Sequence, residues 1–391
     1  MPKLVLYASV GAELTQYDVD VSAAALTRGG SIELPANVQY VWPHASRRFL
    51  YAATSNGGSG NGAAGDRHHV SALSVDPETG ALARHGEPIP LPSRPIHMAT
   101  DIPSEHVLVA FNNPGAIRVY RINPDATPGE EVAQLGPIDP GIFPHQVRTT
   151  ADNRKVVLVS RGHDPDGDKP EEPGSLNVFD FNGGVLSKEV SIAPNSGYGF
   201  GPRHLDFHPL MPWIYVSLER ENRLDMFELT NGVLSLTPRF QADTLANPVR
   251  QAGRQAVGTV HVHPNGQTVY VANRASDVVE YAGQQVFAGG ENSLAVFALD
   301  PVSGEPKLLE TVDTRGIHPR TFHIDPSGRL LVVAHIMGLK VRQESEIRDV
   351  PARLSLFHIA LDGRLQFARS YDIEVGDNTM WWMGMVSLPG N

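Results

Sequence analysis

One phrase recurs six times along this chain of 391 residues, and it limits the folds that the chain can adopt. Each copy begins with a few alternating residues, reaches a turn with Pro, Asn, Asp or Gly, and continues into an apolar run. The copies occupy residues 37–55, 97–113, 145–161, 203–219, 258–274 and 320–336. Five copies have the same internal offset of 16 residues, and the first has an offset of 18. Because both halves are rich in β-branched and aromatic residues, each copy predicts an antiparallel β-hairpin.

A second pair of short apolar segments follows the hairpins, as in residues 175–181 with 183–186. Four strands in a unit of about 50 to 60 residues are typical of a propeller blade. The segments 381–386, 4–9 and 14–19 predict one more blade, shared by the two termini, whose closure would remove exposed sheet edges. We therefore predict an all-β fold, a single seven-bladed β-propeller over residues 1–391. A β-sandwich is the structural alternative, but it does not predict so long a repeat.

Composition narrows the classes of function. Hydrophobic residues make up 41% of the chain, which argues against global disorder. The net charge of −11 argues against a nucleic-acid surface, and no apolar run approaches the roughly 18 residues of a membrane helix. The glycine-rich segment 56–62 lacks the context of a phosphate-binding loop, so no cofactor is predicted. The absence of cysteine and of an apolar leader predicts a cytoplasmic protein, and the oligomeric state stays open.

The repeat alignment predicts where chemistry is located. In a hairpin, the start of the first strand and the end of the second lie at the same edge, so these positions should surround one mouth of the channel. The first-strand starts are Asn37, His97, His145, Arg203, Gly258 and Arg320, and the second-strand ends are Ser55, Asn113, Arg161, Glu219, Arg274 and Ile336. Arginines with a carboxylate and a histidine can bind an anion and move a proton. Each residue alone also has a structural interpretation, such as an ion pair between Arg203 and Glu219.

The other histidines receive a structural interpretation. His208 and His263 precede prolines at hairpin turns, where their side chains are predicted to bind the backbone. His261 and His323 alternate along inner strands as candidate core groups. No compact set of metal ligands is present, so no metal is predicted.

Residues 199–209, GFGPRHLDFHP, resemble the GxGPRHxxFHP stretch of the seven-bladed lactonase family, which includes the propeller type of 6-phosphogluconolactonase and the fungal 3-carboxy-cis,cis-muconate lactonizing enzyme. Similar stretches occur at 260–274 and 318–328. The resemblance implies a metal-independent enzyme with a His, two Arg and a Glu at the channel mouth. These residue types match His145, Arg203, Glu219 and Arg274. The loops 163–174 and 276–291 look longer than the family's minimal version and are expected to reshape the pocket.

Three functions follow as hypotheses. The first is a lactonase that acts on a small sugar-type lactone or other anionic substrate, with His145 or Glu219 as general base and Arg203 and Arg274 stabilising the oxyanion. The predicted substrate-binding residues are His97, Asn113, Arg161, Arg320 and Asn37. The second is a cycloisomerase that closes the ring of a muconate-type diacid. The third is a non-enzymatic propeller scaffold, because fold alone does not fix function.

Overall fold

Short strands with one or both faces buried build the whole molecule. The computed structural model describes residues 3–59, 62–247, 253–344 and 346–389, which form seven antiparallel sheets arranged as blades. Blades are numbered from the first hairpin of the repeat, and strands are given from the channel outwards. The strands of the first three blades are Asn37–Pro43, Phe49–Ser55, His68–Val75 and Leu82–Pro90 in blade 1; Pro95–Thr100, His106–Asn112, Gly115–Ile122 and Pro128–Glu131 in blade 2; and Pro144–Thr149, Lys155–Ser160, Ser175–Asn182 and Val185–Ile192 in blade 3. The strands of blade 4 are Pro202–Phe207, Trp213–Leu218 and Arg223–Thr230. Two short strands, Val233–Leu234 and Phe240–Asp243, both pair with Arg223–Thr230.

The remaining three blades complete the ring. Their strands are Ala256–Val262, Thr268–Arg274, Ser293–Leu299 and Pro306–Asp313 in blade 5; Ile317–Ile324, Leu330–Met337, Arg353–Ile359 and Leu365–Asp372 in blade 6; and Met383–Ser387, Leu4–Val10, Glu13–Asp20 and Ala25–Glu33 in blade 7. In blade 7 the C-terminal strand is innermost and pairs with the N-terminal strand, with Leu4 opposite Ser387 and Ala8 opposite Met383. The predicted seven-bladed propeller with closure by both termini is confirmed, and the β-sandwich is excluded.

The apolar core is divided among the interfaces between blades. Seven clusters of buried side chains lie between successive sheets, one for each neighbouring pair. Between blades 5 and 6, for example, Tyr270, Leu294, Phe322 and Val333 are all within one such cluster. Each blade therefore buries both of its faces against its neighbours, which is how a repeat architecture grows without one large core.

A bulge near the start of the inner strand determines which side chains reach the channel mouth. In blades 1 to 6 the pairing between the first and second strands shifts by one residue, so that two residues oppose one. Such a bulge bends the strand and re-aims a side chain. We call the residues at this point the mouth ring: Gln39, Ile96, His145, Arg203, Gly258 and Arg320.

The opposite end of each hairpin is its turn, and neutral hydrogen bonds join neighbouring blades there. His208 Nε2 lies 2.9 Å from the carbonyl oxygen of Gly266, and His263 Nε2 lies 2.8 Å from that of Gly328. Nδ1 of His263 accepts a hydrogen bond from the backbone N–H of Asn265, which leaves Nε2–H as the donor. Both histidines therefore bind backbone at the turns, as the sequence predicts.

Insertions after second strands lie on the mouth side. Blade 5 carries the hairpin Val278–Tyr281 with Gln284–Phe287, and blade 6 carries Leu339–Gln343 with Glu346–Val350. The two hairpins contact each other, with the guanidinium of Arg342 lying 4.5 Å from the ring centroid of Tyr281. The one helix in the described ranges is the short 3-10 segment Pro194–Gly197, and none there is long and apolar enough to cross a membrane.

Candidate active site at the channel mouth

Four residues of the mouth ring, Ile96, His145, Arg203 and Arg320, line a pocket of about 210 Å³ together with adjacent ends of the second strands. His145, Arg203 and Arg320 come from bulges, which turn these side chains toward the opening. The second-strand ends of blades 3, 4 and 5 place Arg161, Glu219 and Arg274 beside them. The GPRH stretch places Arg203 at the mouth, because Pro202 starts the inner strand of blade 4 and Arg203 occupies its bulge.

Glu219 is the carboxylate around which the arginines are organised. Its Oε1 accepts a hydrogen bond from Arg274 Nη2 at 2.6 Å, and its Oε2 accepts one from Arg161 Nη1 at 3.3 Å. Arg203 Nε lies 3.6 Å from Oε2 and completes a set of three ion pairs. Glu219 and Arg203 are 7% and 1% exposed, so the set lies out of bulk water. Although burial alone would raise it, the attraction of Arg274, Arg161 and Arg203 holds the pKa of the Glu219 carboxyl well below its usual range.

Positive charge exceeds negative charge in this pocket. Among the described residues, six arginines line it and Glu219 is the only carboxylate: Arg94, Arg161, Arg203, Arg254, Arg274 and Arg320. Nε and Nη1 of Arg203, and Nε of Arg161 and Arg274, are buried without a hydrogen-bond partner in the described part of the chain. Burial and the nearby Arg274 lower the pKa of Arg203. The donors and the excess charge both fit an anionic ligand.

His145 is the neutral titratable group of the pocket. It is 7% exposed, and within the described ranges its Nδ1 is buried without a partner. Burial, reinforced by repulsion from Arg203, holds its pKa well below the ordinary value for histidine. The imidazole is therefore unprotonated at neutral pH and is able to accept a proton.

Trp381 and two arginines form the wall on the side of blade 7. The Arg320 guanidinium lies 3.5 Å from the Trp381 ring centroid, and its Nε donates to the Trp381 carbonyl at 3.2 Å. Arg94 lies 5.5 Å from the same ring. This aromatic contact orients both cations without neutralising them.

The predicted long loop 163–174 lies at the rim on the side of blades 3 and 4. Arg220, next to Glu219, donates to the His163 carbonyl at 2.8 Å and pairs with Glu171 at 3.1 Å. Asp164 pairs with Arg254 at 2.6 Å. Part of the rim is therefore fixed by ion pairs that do not involve the inner arginines.

The structure brings six of the nine predicted site residues to this pocket and places three elsewhere. The six are His145, Arg161, Arg203, Glu219, Arg274 and Arg320. His97 lies one residue beyond the bulge of blade 2, so it faces the next layer of the channel, with its ring centroid 3.9 Å from that of Tyr40. Asn37 lies two residues before the bulge of blade 1, Asn113 follows the second strand of blade 2, and both are exposed.

The alignment set the wrong register in the first two blades, because it began two residues before the bulge in blade 1 and one residue after the bulge in blade 2. The residues that occupy the expected positions there are Gln39, Ile96 and Asn112. A better signal for blade 2 was the proline that directly precedes the bulge in four blades: Pro95, Pro144, Pro202 and Pro319. Proline is favoured at the first position of a strand because it cannot donate to the sheet. Alignment on it would also have identified Arg94 and His318, which precede two of these prolines.

His318 is the second residue that the alignment missed. Arg274 Nη1 donates to His318 Nε2 at 3.1 Å, and His318 Nδ1 lies 3.0 Å from Ser276 Oγ. Burial and Arg274 hold the pKa of His318 well below its ordinary value. His318 therefore positions Arg274 as a neutral acceptor.

One group of potential metal ligands is present in the described residues, and it lies away from the mouth. Asp101, Glu105 and His106 are at the turn of blade 2. The Asp101 carboxylate already accepts hydrogen bonds from the backbone N–H groups of Glu105 and His106 and contacts His106 Nδ1. These bonds explain the group as turn structure.

A propeller with a polar pocket at one end of its channel is an architecture that proteins of many functions share. The family model described as "Lactonase, 7-bladed beta-propeller" matches residues 6–341, and the chain belongs to this family.

Curated relatives and solved structures agree with this assignment. The chain is 27% identical over 339 residues to a 6-phosphogluconolactonase of Bacillus subtilis (strain 168), which covers 84% of this chain and 86% of that protein. A 6-phosphogluconolactonase of Enterobacter sp. (strain 638) is 25% identical over 315 residues, 79% of this chain and 81% of that protein. The periplasmic gluconolactonase PpgL of Pseudomonas aeruginosa superposes with a TM-score of 0.74 at 21% identity over 100% of both chains. A putative 6-phosphogluconolactonase from Bacteroides uniformis gives 0.73 at 20% identity over 99% of this chain and 100% of that chain. These two similarities describe the fold.

Proposed function

We propose that the protein hydrolyses a sugar-type lactone with an anionic substituent at the channel mouth. The observation that carries the proposal is the group of buried arginines around a single carboxylate. Burying charges costs free energy, and even paired buried charges add little to stability compared with apolar residues. Unpaired guanidinium donors therefore make sense if a substrate anion completes the set.

In this proposal His145 is the general base. A water molecule gives a proton to the neutral imidazole as its oxygen attacks the lactone carbonyl carbon, forming a tetrahedral oxyanion. Collapse of this intermediate breaks the ring C–O bond, and the imidazolium returns the proton to the leaving alkoxide. Lactone and water are thus converted to a hydroxy acid, with His145 regenerated.

Arg203 and Arg274 are proposed to stabilise the oxyanion, because they converge at the centre of the pocket and retain buried donors. Glu219 is a weaker candidate for the base than His145. Its charge is already held by three arginines, so accepting a proton would break those interactions. We assign it the task of positioning Arg203 and Arg274.

The curated relatives support a phosphorylated substrate, since both are named for the 6-phospho lactone. Arg161, Arg320 and Arg94 are the candidate partners of the phosphate or another anionic group. His97, Asn37 and Asn113 are not proposed as first contacts, since they lie outside the pocket. A cytoplasmic location remains a prediction.

The test compares 6-phosphoglucono-1,5-lactone, glucono-1,5-lactone and 3-carboxy-cis,cis-muconate with the purified protein. Acid release in a pH-stat reports lactone hydrolysis, and loss of diene absorbance reports ring closure. We expect the phosphorylated lactone to have the largest kcat/KM. Turnover of the muconate alone would replace the lactonase with the cycloisomerase, and an inert mouth toward all three would favour the binding scaffold.

A further inference from the structure

The channel contains a second cavity below the mouth, at the turn end of the inner strands. It measures about 320 Å³ and is lined by inner-strand residues located two and four positions before the turn. Its polar lining residues are Gln146, Arg148, His204, Asp206, Thr259, His261, Thr321 and His323. His204 marks the boundary with the mouth, since its ring centroid lies 5.1 Å from that of His145. We call this space the lower cavity.

Asp206 belongs to the framework of the lower cavity. Its Oδ2 accepts the backbone N–H of Val262 in the next blade at 2.9 Å and lies 3.5 Å from His261 Nδ1. Its Oδ1 accepts from Arg148 Nη1 at 3.3 Å. Although burial would raise it, contacts with His261 and Arg148 lower the pKa of the Asp206 carboxyl, so it is ionised and balances Arg148.

Two other polar side chains lining the lower cavity, Thr321 and His323, each have an atom without a hydrogen-bond partner among the described residues. Thr321 is 8% exposed, and its Oγ1 is buried without a hydrogen-bond partner in the described ranges. Nδ1 of His323 is also buried without a hydrogen-bond partner in the described ranges, and burial lowers the pKa of the His323 imidazole to about 3. A buried polar atom without a hydrogen-bond partner costs free energy. A ligand able to donate and accept hydrogen bonds would relieve that cost.

The walls add aromatic surface. Trp42, Tyr40, Phe322 and Trp382 line the cavity. The Arg148 guanidinium lies 5.1 Å from the Trp42 ring centroid, which fixes both groups at one side. Arg148, Asp206 and His261 side chains are 20%, 15% and 27% exposed, so solvent reaches this end of the channel. An apolar lining with a few converging polar groups is the usual composition of a small-molecule site.

We propose that the lower cavity binds a small, uncharged, polyhydroxylated ring, of the size of a free monosaccharide. Its hydroxyl groups would pair with Thr321, His323 and the remaining donors of Arg148, and its C–H faces would pack on the aromatic walls. Charge balance argues against an anion, because Arg148 is matched by Asp206 and the imidazole of His323 is neutral. This site is distinct from the mouth and does not depend on the reaction proposed there.

The experiment uses the full chain and D-glucose as the probe, with D-glucose 6-phosphate as the charged comparison and cyclohexanol as the ring with one hydroxyl. Saturation-transfer NMR detects binding, calorimetry gives Kd, and a crystal soaked with D-glucose locates it. We expect a Kd for glucose on the order of 1 mM or tighter. Thr321→Val, which keeps the shape of the side chain, should weaken glucose binding about three- to tenfold, and His323→Phe about tenfold. Arg203→Ala at the mouth should leave this affinity within about twofold.

Three results would overturn the proposal. The first is no glucose binding at about 100 times the expected Kd. The second is glucose density at the mouth alone, with affinity lost in Arg203→Ala and retained in Thr321→Val. The third is tighter binding of the phosphate ester or of cyclohexanol to the lower cavity. Thermal unfolding of each variant checks that it is folded. If one of the two variants, Thr321→Val or His323→Phe, fails to fold, the other still tests glucose binding in the lower cavity.

Discussion

The two ends of the channel use corresponding positions of the same strands for different chemistry. At the mouth, bulges turn His145, Arg203 and Arg320 inward, and in the described part of the chain the lining arginines outnumber the one carboxylate, Glu219. At the lower cavity the pairing is regular, and Arg148 is matched by Asp206. The propeller therefore separates an anion-attracting end from a charge-balanced one along a single channel. The comparison shows that blade repeats define positions, whereas local pairing irregularity and charge balance define chemistry.

The largest expected effect is the loss of folding stability in acid, which tests the positive charge of the mouth. His97, His145, His204 and His318 all have pKa values held well below normal, first by burial and then by arginines. Because the unfolded chain binds protons near pH 6.5 and the folded chain does not, stability is full above that pH and falls below it. Integrated between pH 6.5 and 5.5, each histidine contributes about 1 kcal/mol, so four together remove about 4 kcal/mol. Urea unfolding at a series of pH values measures this loss.

Arg320 allows the acid effect to be assigned to the mouth. It lowers the pKa of His145, His204 and His318, so Arg320→Gln should raise those values toward normal and reduce the acid sensitivity. Arg28, an exposed arginine paired with Glu13, is the control, and Arg28→Ala should keep the wild-type profile. An unchanged profile in Arg320→Gln would mean that mouth charge does not set these imidazoles.

Removal of the central carboxylate should produce the next largest effect. Glu219→Gln leaves three guanidinium groups without their partner, and we expect a loss of about 3 to 5 kcal/mol in the free energy of unfolding. Inorganic phosphate should restore part of it by binding the freed arginines. Glu131→Gln breaks the exposed pair with Arg118 and should cost less than about 1 kcal/mol. Equal stability of the two variants would show that the mouth arginines are not held by Glu219.

Arg203→Ala tests the proposed chemistry directly. Loss of an oxyanion donor should lower kcat by about 10² to 10³. Since Arg203 also lies beside Glu219 and His145, stability and the pH profile should be measured with the rate. Arg28→Ala is again the matched control and should retain wild-type kcat. If Arg203→Ala turns over the phosphorylated lactone at the wild-type rate, Arg203 has no part in the reaction.

The ring of seven blades could be predicted from the sequence because each blade repeats the same pattern of antiparallel strands. The N- and C-terminal segments supplied the strands of the seventh blade. The sequence predicted most of the mouth because Arg203, Glu219 and Arg274 are unusual at positions that otherwise hold small or apolar residues. Register in blades 1 and 2 was missed because the copies there were begun two residues before the bulge and one residue after it. Pro95 carried that information in blade 2, whereas in blade 1 the residue before the bulge is Val38.

The lower cavity could not be predicted for a different reason. His261 and His323 look like core groups in the sequence, and their alternation fits either role. What distinguishes them is whether each ring nitrogen has a partner, which depends on contacts between blades far apart in the chain. His261 approaches Asp206, whereas Nδ1 of His323 has no hydrogen-bond partner in the described residues. The proposed assignment of His145 as base and Glu219 as positioning residue could not be predicted from the sequence either, because it depends on three arginines converging on Glu219.

The smallest expected effect concerns how the turn end is held together. His263 joins blades 5 and 6 by a neutral hydrogen bond to Gly328, and it lines neither the mouth nor the lower cavity. His263→Ala leaves a buried carbonyl without that donor, so we expect a loss of about 1 to 2 kcal/mol in the free energy of unfolding. Because no ion pair is involved, the loss should be the same at low and at high salt, whereas the cost of Glu219→Gln should change with salt. Chemical unfolding at two salt concentrations makes the measurement, with kcat for the phosphorylated lactone expected at the wild-type value. A salt-dependent loss in His263→Ala would show that the turn end, like the mouth, is held by charge.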